Sequence, residues 1–164
     1  MGLSLVLALS SAYAEGGVDA SLFSQGRTRL SLQGGYGQFN DRDYAIVGLG
    51  AGTYLLNGLE AGVDGEAWLG SKPHLYSMSP RLTYTFFELA SFHPYIGGFY
   101  RRTFYDAGYA DINSVGGRAG VVTPLSDHSY LSAGLVYEKL FDCDTSLYDH
   151  CSQVYPELGL AFSY

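Results

Sequence analysis

The side chains best suited to chemistry in this sequence are its histidines and the polar residues beside them. His128 directly precedes Ser129, and His93 lies close to Glu88 and Ser91. Nucleophilic catalysis requires the serine hydroxyl and its histidine base on the same side, within hydrogen-bond reach. Adjacent residues of a strand point to opposite faces, so His128 and Ser129 do not meet this requirement. We therefore expect no enzymatic activity, no catalytic residue and no cofactor.

Both cysteines of the chain, Cys143 and Cys151, lie in one polar segment that also carries Asp142, Asp144 and Asp149. Two cysteines so close together predict a local disulfide, formed in an oxidising compartment. Closing a loop of this length stabilises the fold by roughly 2–3 kcal/mol on the chain-entropy model. The aspartates leave a divalent-cation site as the alternative, but we expect the disulfide and no metal site.

Charged residues recur with a period of two along several segments. Between Leu59 and Leu69, for example, apolar residues alternate with Glu60, Asp64 and Glu66. This period predicts strands with one apolar and one polar face. Taken over the whole chain, the polar faces carry four arginines and five carboxylates: Arg29, Arg81, Arg101, Arg118, Glu60, Asp64, Glu66, Glu138 and Glu157.

If these strands close into a narrow barrel with their polar faces inward, the nine charges must be paired, because an unpaired buried ion is very costly. We therefore expect an internal salt-bridge network that fills the lumen. The alternative is a proton or ion path through the same groups.

Eight alternating segments of roughly ten residues are predicted as strands, which is the length that a tilted strand needs to cross a bilayer. They cover residues 29–36, 45–55, 59–69, 76–86, 94–104, 115–123, 130–140 and 154–164. Asn57-Gly58 predicts a hairpin with a type I′ turn. The segments 56–58, 87–93 and 124–129 are short or compact, whereas 38–43, 105–113 and 141–153 are polar. Both termini should lie at the end with the compact turns.

The composition agrees with a membrane barrel. Hydrophobic residues make up 47% of the chain, and charged residues make up only 15%, compared with about a quarter in soluble domains. The sequence lacks the long apolar span of a membrane helix, whereas 15 tyrosines and 22 glycines favour β-structure. A net charge of −7 disfavours a nucleic-acid partner. The predicted fold is all-β, an eight-stranded antiparallel up-and-down transmembrane β-barrel with a filled polar lumen.

The first residues resemble an export signal. An apolar run over 3–9 is followed by Ala12-Tyr13-Ala14, the small-residue pattern of a cleavage site. Basic residues do not precede the run, so we expect residues 1–14 to be a truncated signal peptide. Residues 15–26 are predicted to be an unpaired leader, and residues 27–164 the barrel.

The last strand resembles the signal by which the barrel-assembly machinery recognises outer-membrane proteins. Its alternation carries the apolar and aromatic residues Pro156, Leu158, Leu160, Phe162 and Tyr164. Segments 116–121 and 133–138 are similar to late strands of the OmpA/OmpX-like small outer-membrane β-barrel domain family. The resemblance implies a Gram-negative bacterial outer membrane as the location, its lipids and lipopolysaccharide as contacts, and Leu158, Leu160, Phe162 and Tyr164 as the assembly signal.

These observations favour a structural or interaction role through the surface loops or the barrel wall. A narrow channel for small solutes or ions and an accessory subunit of a larger outer-membrane complex are the alternatives. Small residues on the predicted outer face would allow close packing against a partner: Gly34, Gly65, Ala67, Gly117, Ala119 and Ala133. Because Arg102 follows Arg101, the two point to opposite faces, and Arg102 is a candidate for contact with lipopolysaccharide phosphates.

Overall fold

The computed structural model describes residues 21–39, 41–89, 92–106, 108, 110–141, 143–144, 146 and 150–164. Eight antiparallel strands follow one another around a closed barrel, and the last pairs with the first. They are β1 (Thr28–Phe39), β2 (Arg42–Leu56), β3 (Leu59–Gly70), β4 (Leu75–Thr85), β5 (His93–Tyr105), β6 (Ile112–Ser126), β7 (Ser129–Leu140) and β8 (Ser152–Ser163). The signal peptide predicted at 1–14 lies outside the described residues.

Side-chain alternation sets the inside and outside of this barrel. In β4, for example, buried and exposed residues alternate at every position, as a period of two requires. The polar positions point inward and the apolar positions point outward. The predicted fold class, an eight-stranded antiparallel barrel with a filled polar interior, is confirmed. No helix of the described residues is long and apolar enough to span a membrane.

Most strands are longer than predicted, with 11 to 15 residues each. The largest difference is in β6, which takes in residues 112–113 and 124–126, expected to be loop and turn. A register shift between Pro124 and Ser126 lets pairing with β7 continue almost to the turn at Asp127 and His128. Pairing extends because each strand of a closed barrel has a partner on both sides, whatever its side chains.

The hairpin predicted at Asn57-Gly58 is present, but its turn is not type I′. That turn needs a positive φ at both central residues, and here only Gly58 has one, at 81°. A neighbouring register shift between Tyr54 and Leu56 accommodates the difference. Only glycine fits at position 58, since a Cβ there would lie 2.6 Å from the Thr85 carbonyl oxygen.

Residues 21–26, named here the N-terminal stopper, were expected to be unpaired and are not. The Gly26 N–H donates to the Tyr54 carbonyl at 2.8 Å, and the Gly58 N–H donates to the Phe23 carbonyl at 2.8 Å. The stopper thereby lies across the end of the barrel that holds both termini, the termini end.

The stopper fills that end with apolar side chains. Leu22 and Phe23 are completely buried. The Phe23 ring packs against those of Tyr54, Tyr130 and His93, with centroids 6.0, 5.3 and 5.9 Å away. The barrel therefore has a closed termini end and, opposite it, a loop end with the connections 71–74, 106–111 and 141–151.

The stopper's contribution to stability can be measured with Phe23→Ala. Because the ring is fully buried, its loss should lower the free energy of unfolding by about 3 kcal/mol. Urea unfolding of protein refolded into lipid vesicles, followed by Trp68 fluorescence, gives the value. The control is Phe92→Ala, which removes an aromatic ring that is 63% exposed near the same end. Equal losses in both variants would contradict the role assigned to the stopper.

Candidate functional site

All nine predicted lumen charges point into the barrel and are buried, none more than 9% exposed. Seven strands supply them, and β2 supplies none. It places Gly48, Gly50 and Gly52 opposite the acidic face of β3 instead. A Cβ on Gly50 or Gly52 would overlap the carboxylate of Asp64 or Glu60, respectively. Glycines on β2 therefore provide the space that the β3 carboxylates occupy.

Six of the charges form what we call the lower network, nearer the termini end: Arg29, Glu60, Asp64, Arg81, Arg118 and Glu157. Glu60 is shared between two guanidinium groups, with Arg29 Nη1 and Arg81 Nη2 each 2.8 Å from its oxygens. Arg81 also donates from Nε to Asp64 Oδ1 at 2.8 Å. Its side chain is completely buried, so these two bonds replace part of its lost hydration.

The lower network continues across the barrel through Arg118. Its Nη1 lies 3.2 Å from Asp64 Oδ2 and 3.4 Å from Glu157 Oε1. Three arginines thus face three carboxylates, and the formal charge of the lower network is zero.

The remaining charges form the upper network, Arg101 with Glu66 and Glu138. Arg101 Nη2 lies 2.8 Å from Glu66 Oε1, and Nη1 lies 2.8 Å from Glu138 Oε2. Its other contacts are the Tyr155 hydroxyl at 2.7 Å and the Ser79 hydroxyl at 2.9 Å. One guanidinium holds two carboxylates, so this network has a formal charge of −1.

Phe99 joins the two networks. The guanidinium carbons of Arg101 and Arg118 lie 4.7 and 5.2 Å from the centre of its ring, which is within cation–π range. Further inward aromatics close the barrel above and below, in two clusters whose largest members are Tyr44, Trp68 and Tyr155 towards the loop end and Tyr54, Tyr95 and Tyr130 towards the termini end. Sequence reasoning overlooked these aromatic layers, although the rings share the parity of the charges.

Among the described residues, two of the cavities in the lumen have a volume of about 20 Å³ each, and their linings share no residue. One lies beside Arg101 and Glu138, the other beside Arg29 and Arg118. Each has room for about one water molecule. Arg29 Nε and Arg118 Nε have no protein partner, so a water in the second cavity can accept their hydrogen bonds.

The outer wall carries two belts of exposed aromatic rings with an aliphatic band between them. The belt at the loop end contains Tyr36, Tyr76, Tyr100, Phe104, Tyr137 and Phe141. The belt at the termini end contains Tyr84, Phe86, Phe92 and Tyr164. Exposed residues of the band include Leu32, Leu49, Val63, Leu82, Leu135 and Leu158. Aromatic girdles around an apolar band are the pattern of a transmembrane barrel.

The predicted disulfide between Cys143 and Cys151 is confirmed. It closes the connection between β7 and β8 at the loop end. Within the same connection, a hydrogen bond from the Ser146 N–H lowers the pKa of Asp144. Asp142 and Asp149 lie outside the described residues.

The proposed assembly signal lies along β8. Leu158, Leu160 and Phe162 alternate with buried residues on that strand, and Tyr164 follows its end with 65% of its surface exposed. The same strand pairs with β1 and so closes the barrel. Its use by the assembly machinery stays a prediction.

The histidines considered for catalysis, His93 and His128, lie at the termini end of the barrel. The hydroxyl of Ser129 lies 2.7 Å from that of Ser126, and the His128 ring lies near Tyr164. His93 is buried beneath the stopper, Glu88 is exposed, and Ser91 lies outside the described residues.

Comparison with protein-family models and with curated proteins finds no match. Solved structures do match. The N-terminal barrel of OprF from Pseudomonas aeruginosa has a TM-score of 0.67 and 15% identity, covering 85% of this chain and 98% of that one. The Neisserial surface protein NspA has a TM-score of 0.63 and 19% identity, covering 84% and 96%. The chain has the fold of a small outer-membrane β-barrel.

A de novo designed transmembrane barrel shares this fold, with a TM-score of 0.57, 16% identity, and coverage of 86% and 98%. Since a designed chain can adopt it, the fold alone assigns no activity. The fold and the apolar wall both agree with the bacterial outer-membrane location expected from the sequence.

Two neighbouring arginines test the upper network. Arg101→Met leaves Glu66 and Glu138 together without a counter-charge, which should lower the free energy of unfolding by about 3–5 kcal/mol. Arg102→Met removes the same group from the outer face and should cost less than about 1 kcal/mol. Urea unfolding in vesicles compares them, and Arg101→Met combined with Glu66→Gln and Glu138→Gln should recover part of the loss. A similar cost at both arginines would contradict the network's role.

Two glycines test the fit between β2 and β3. Gly52→Ala places a methyl group against the Glu60 carboxylate and 2.9 Å from the Ala61 carbonyl oxygen, so it should destabilise the barrel by about 1–3 kcal/mol. Gly65→Ala points outward, where the nearest atom lies at 3.9 Å, and should be neutral or slightly stabilising. Folded and unfolded barrels migrate differently on a denaturing gel, so the temperature at which each variant loses its folded band ranks the stability of the two variants. A lower temperature for Gly65→Ala than for Gly52→Ala would refute this account.

Proposed function

We propose that this protein is a non-conducting outer-membrane barrel that acts through its wall and its loop end. The observation that carries the proposal is the closed lumen. The N-terminal stopper, the lower network and the upper network fill the barrel at three successive levels. One cavity lies beside the lower network and the other on the loop side of the upper network, and each has room for about one water molecule.

Opening a path would require ion pairs inside the barrel to separate. Arg81 and Asp64 have completely buried side chains, and removing one partner of such a pair costs about 3–5 kcal/mol. A narrow channel would need several of these pairs to part together. The charged groups therefore support a stabilising filling of the lumen better than an ion path.

The wall supports an interaction role. Its apolar band and aromatic belts match a bilayer, and the arrangement of compact turns and longer loops predicts that the termini end faces the periplasm and the loop end faces outward. Lipids and lipopolysaccharide of the outer membrane are then its direct surroundings. The proposal includes no catalytic step and no cofactor.

One observation favours a second role, as an accessory subunit of a larger membrane complex. Gly34 and Gly65 face outward, and the nearest atom to a Cβ on either would be 3.9 Å away. The barrel interior does not require glycine at these positions, so they can accept close packing by another membrane segment. Co-purification from native membranes in mild detergent tests this role, and a partner lost on Gly65→Leu would support it.

Single-channel recording tests the proposed function. Refolded full-length protein in a planar bilayer should give no conductance steps, because the two networks and the stopper leave no continuous water path. Insertion is checked independently by protection of the barrel from protease, and an unrelated open porin provides the positive control. Steady ohmic steps from protease-protected protein would overturn the proposal in favour of a channel.

A further inference from the structure

Charged residues are almost absent from the outward face of the described strands. Three occur: Asp43 on β2, Arg102 on β5 and Lys139 on β7. The two cations therefore lie on strands that flank a single strand, β6. Asp43 lies on β2, on the opposite side of an eight-stranded barrel.

The strand register brings the two cations to one patch near the loop end. Arg102 pairs with Asn113 on β6, and Lys139 pairs with Val115, two residues further along β6. Two strand spacings and a two-residue offset separate their Cα atoms by roughly 12 Å. Both side chains are long, so an anion placed over Asn113 and Val115 can contact both.

Arg102 is also oriented by its neighbours. Its guanidinium Nη2 lies 3.2 Å from Asp111 Oδ2, and its guanidinium carbon lies 5.6 Å from the centre of the Phe104 ring. The side chains of Arg102 and Asp111 are 56% and 39% exposed, and such surface pairs are weak. The pair leaves further guanidinium N–H groups available, and the patch keeps a formal charge of +1.

Further towards the termini end, beyond the outward side chains of Tyr100 and Val115, the wall is hollow. Gly98 and Gly117 pair directly across β5 and β6, with Ala119 next on β6. A Cβ on Gly98 or Gly117 would have its nearest neighbour at 3.8 or 3.5 Å, so the barrel interior does not force glycine there. Tyr100 and Tyr137 border the hollow. Arg102 lies four residues above Gly98, about 13 Å along the strand.

We propose that this surface, the β5–β7 patch, binds the phosphorylated glycolipid of the outer leaflet, the lipid A part of lipopolysaccharide. A phosphate lies between Arg102 and Lys139, and an acyl chain lies along Gly98, Gly117 and Ala119. The guanidinium donates paired hydrogen bonds to phosphate oxygens and the ammonium adds a point charge. The proposal rests on the proposed function, since it requires this wall to face the outer leaflet.

Binding of purified bisphosphorylated lipid A to the full chain in detergent, followed by native mass spectrometry, tests the patch. Arg102→Gln with Lys139→Gln should weaken binding by about tenfold or more, because two charge-assisted contacts are lost. The matched control is Arg42→Gln with Lys72→Gln, which removes two charges at the loop end outside the patch and should stay within about twofold of the parent chain. Equal weakening in both would show a diffuse electrostatic effect and overturn the proposal.

The hollow is tested separately. Gly117→Leu should displace the acyl chain and weaken binding of lipid A, whereas Ala51→Leu, at an exposed outward position of β2, should not. Inorganic phosphate should not compete at concentrations that saturate lipid A, because it lacks the acyl chains. If Gly117→Leu changes only self-association or capture of a protein, the hollow is a protein interface and the lipid assignment is wrong.

The two proposals fail in different ways. Lipid A binding that is insensitive to the substitutions at Arg102, Lys139 and Gly117 removes the lipid site and leaves the non-conducting barrel intact. Conductance from the parent chain overturns the proposed function, and the lipid site is then judged separately from the binding of lipid A to the patch variants.

Discussion

A guanidinium or carboxylate moved out of water loses hydration worth several kcal/mol, and only another buried group can replace it. Nine such groups lie inside this barrel, and each has at least one partner of opposite charge. The partners come from different strands, so every bond fixes the height of one strand against another. A slip of a single residue would turn a strand's charges outward and its apolar residues inward. Ion pairing is therefore what makes one register much better than its neighbours.

The interior also has to be filled, and large and small residues divide that task. Glycines of β2 lie beside the carboxylates of β3, and a Cβ on Gly120 of β6 would overlap backbone atoms of Ala133 and Gly134 on β7. Where the charges end, rings such as those of Trp68 and Tyr130 take over. Protein interiors are close-packed, so each bulky inward residue requires a small one beside it. The high glycine content follows from the narrow barrel rather than from flexible loops.

Residue alternation predicted most of the architecture because a period of two is a direct consequence of strand geometry. It located the eight strands and assigned Arg29, Glu60 and Arg118 to the inside. It could not show which arginine pairs with which carboxylate, since that depends on stagger between strands distant in sequence. The stopper was missed for another reason. Leu22 and Phe23 are two apolar residues in a polar segment without a hydrophobic period. They become buried only when the end of the barrel that they pack against has formed.

That dependence has a consequence for the order of assembly. The Leu22 carbonyl accepts a hydrogen bond from the Ser163 hydroxyl, 141 positions later in the chain, at 2.8 Å. Contacts between such distant positions form slowly, because a large loop must close first. The beginning of the chain therefore stays undocked until β8 has joined β1. Docking of this segment thus depends on barrel closure: a chain that lacks β8 would also lack the surface that its own N-terminal segment contacts.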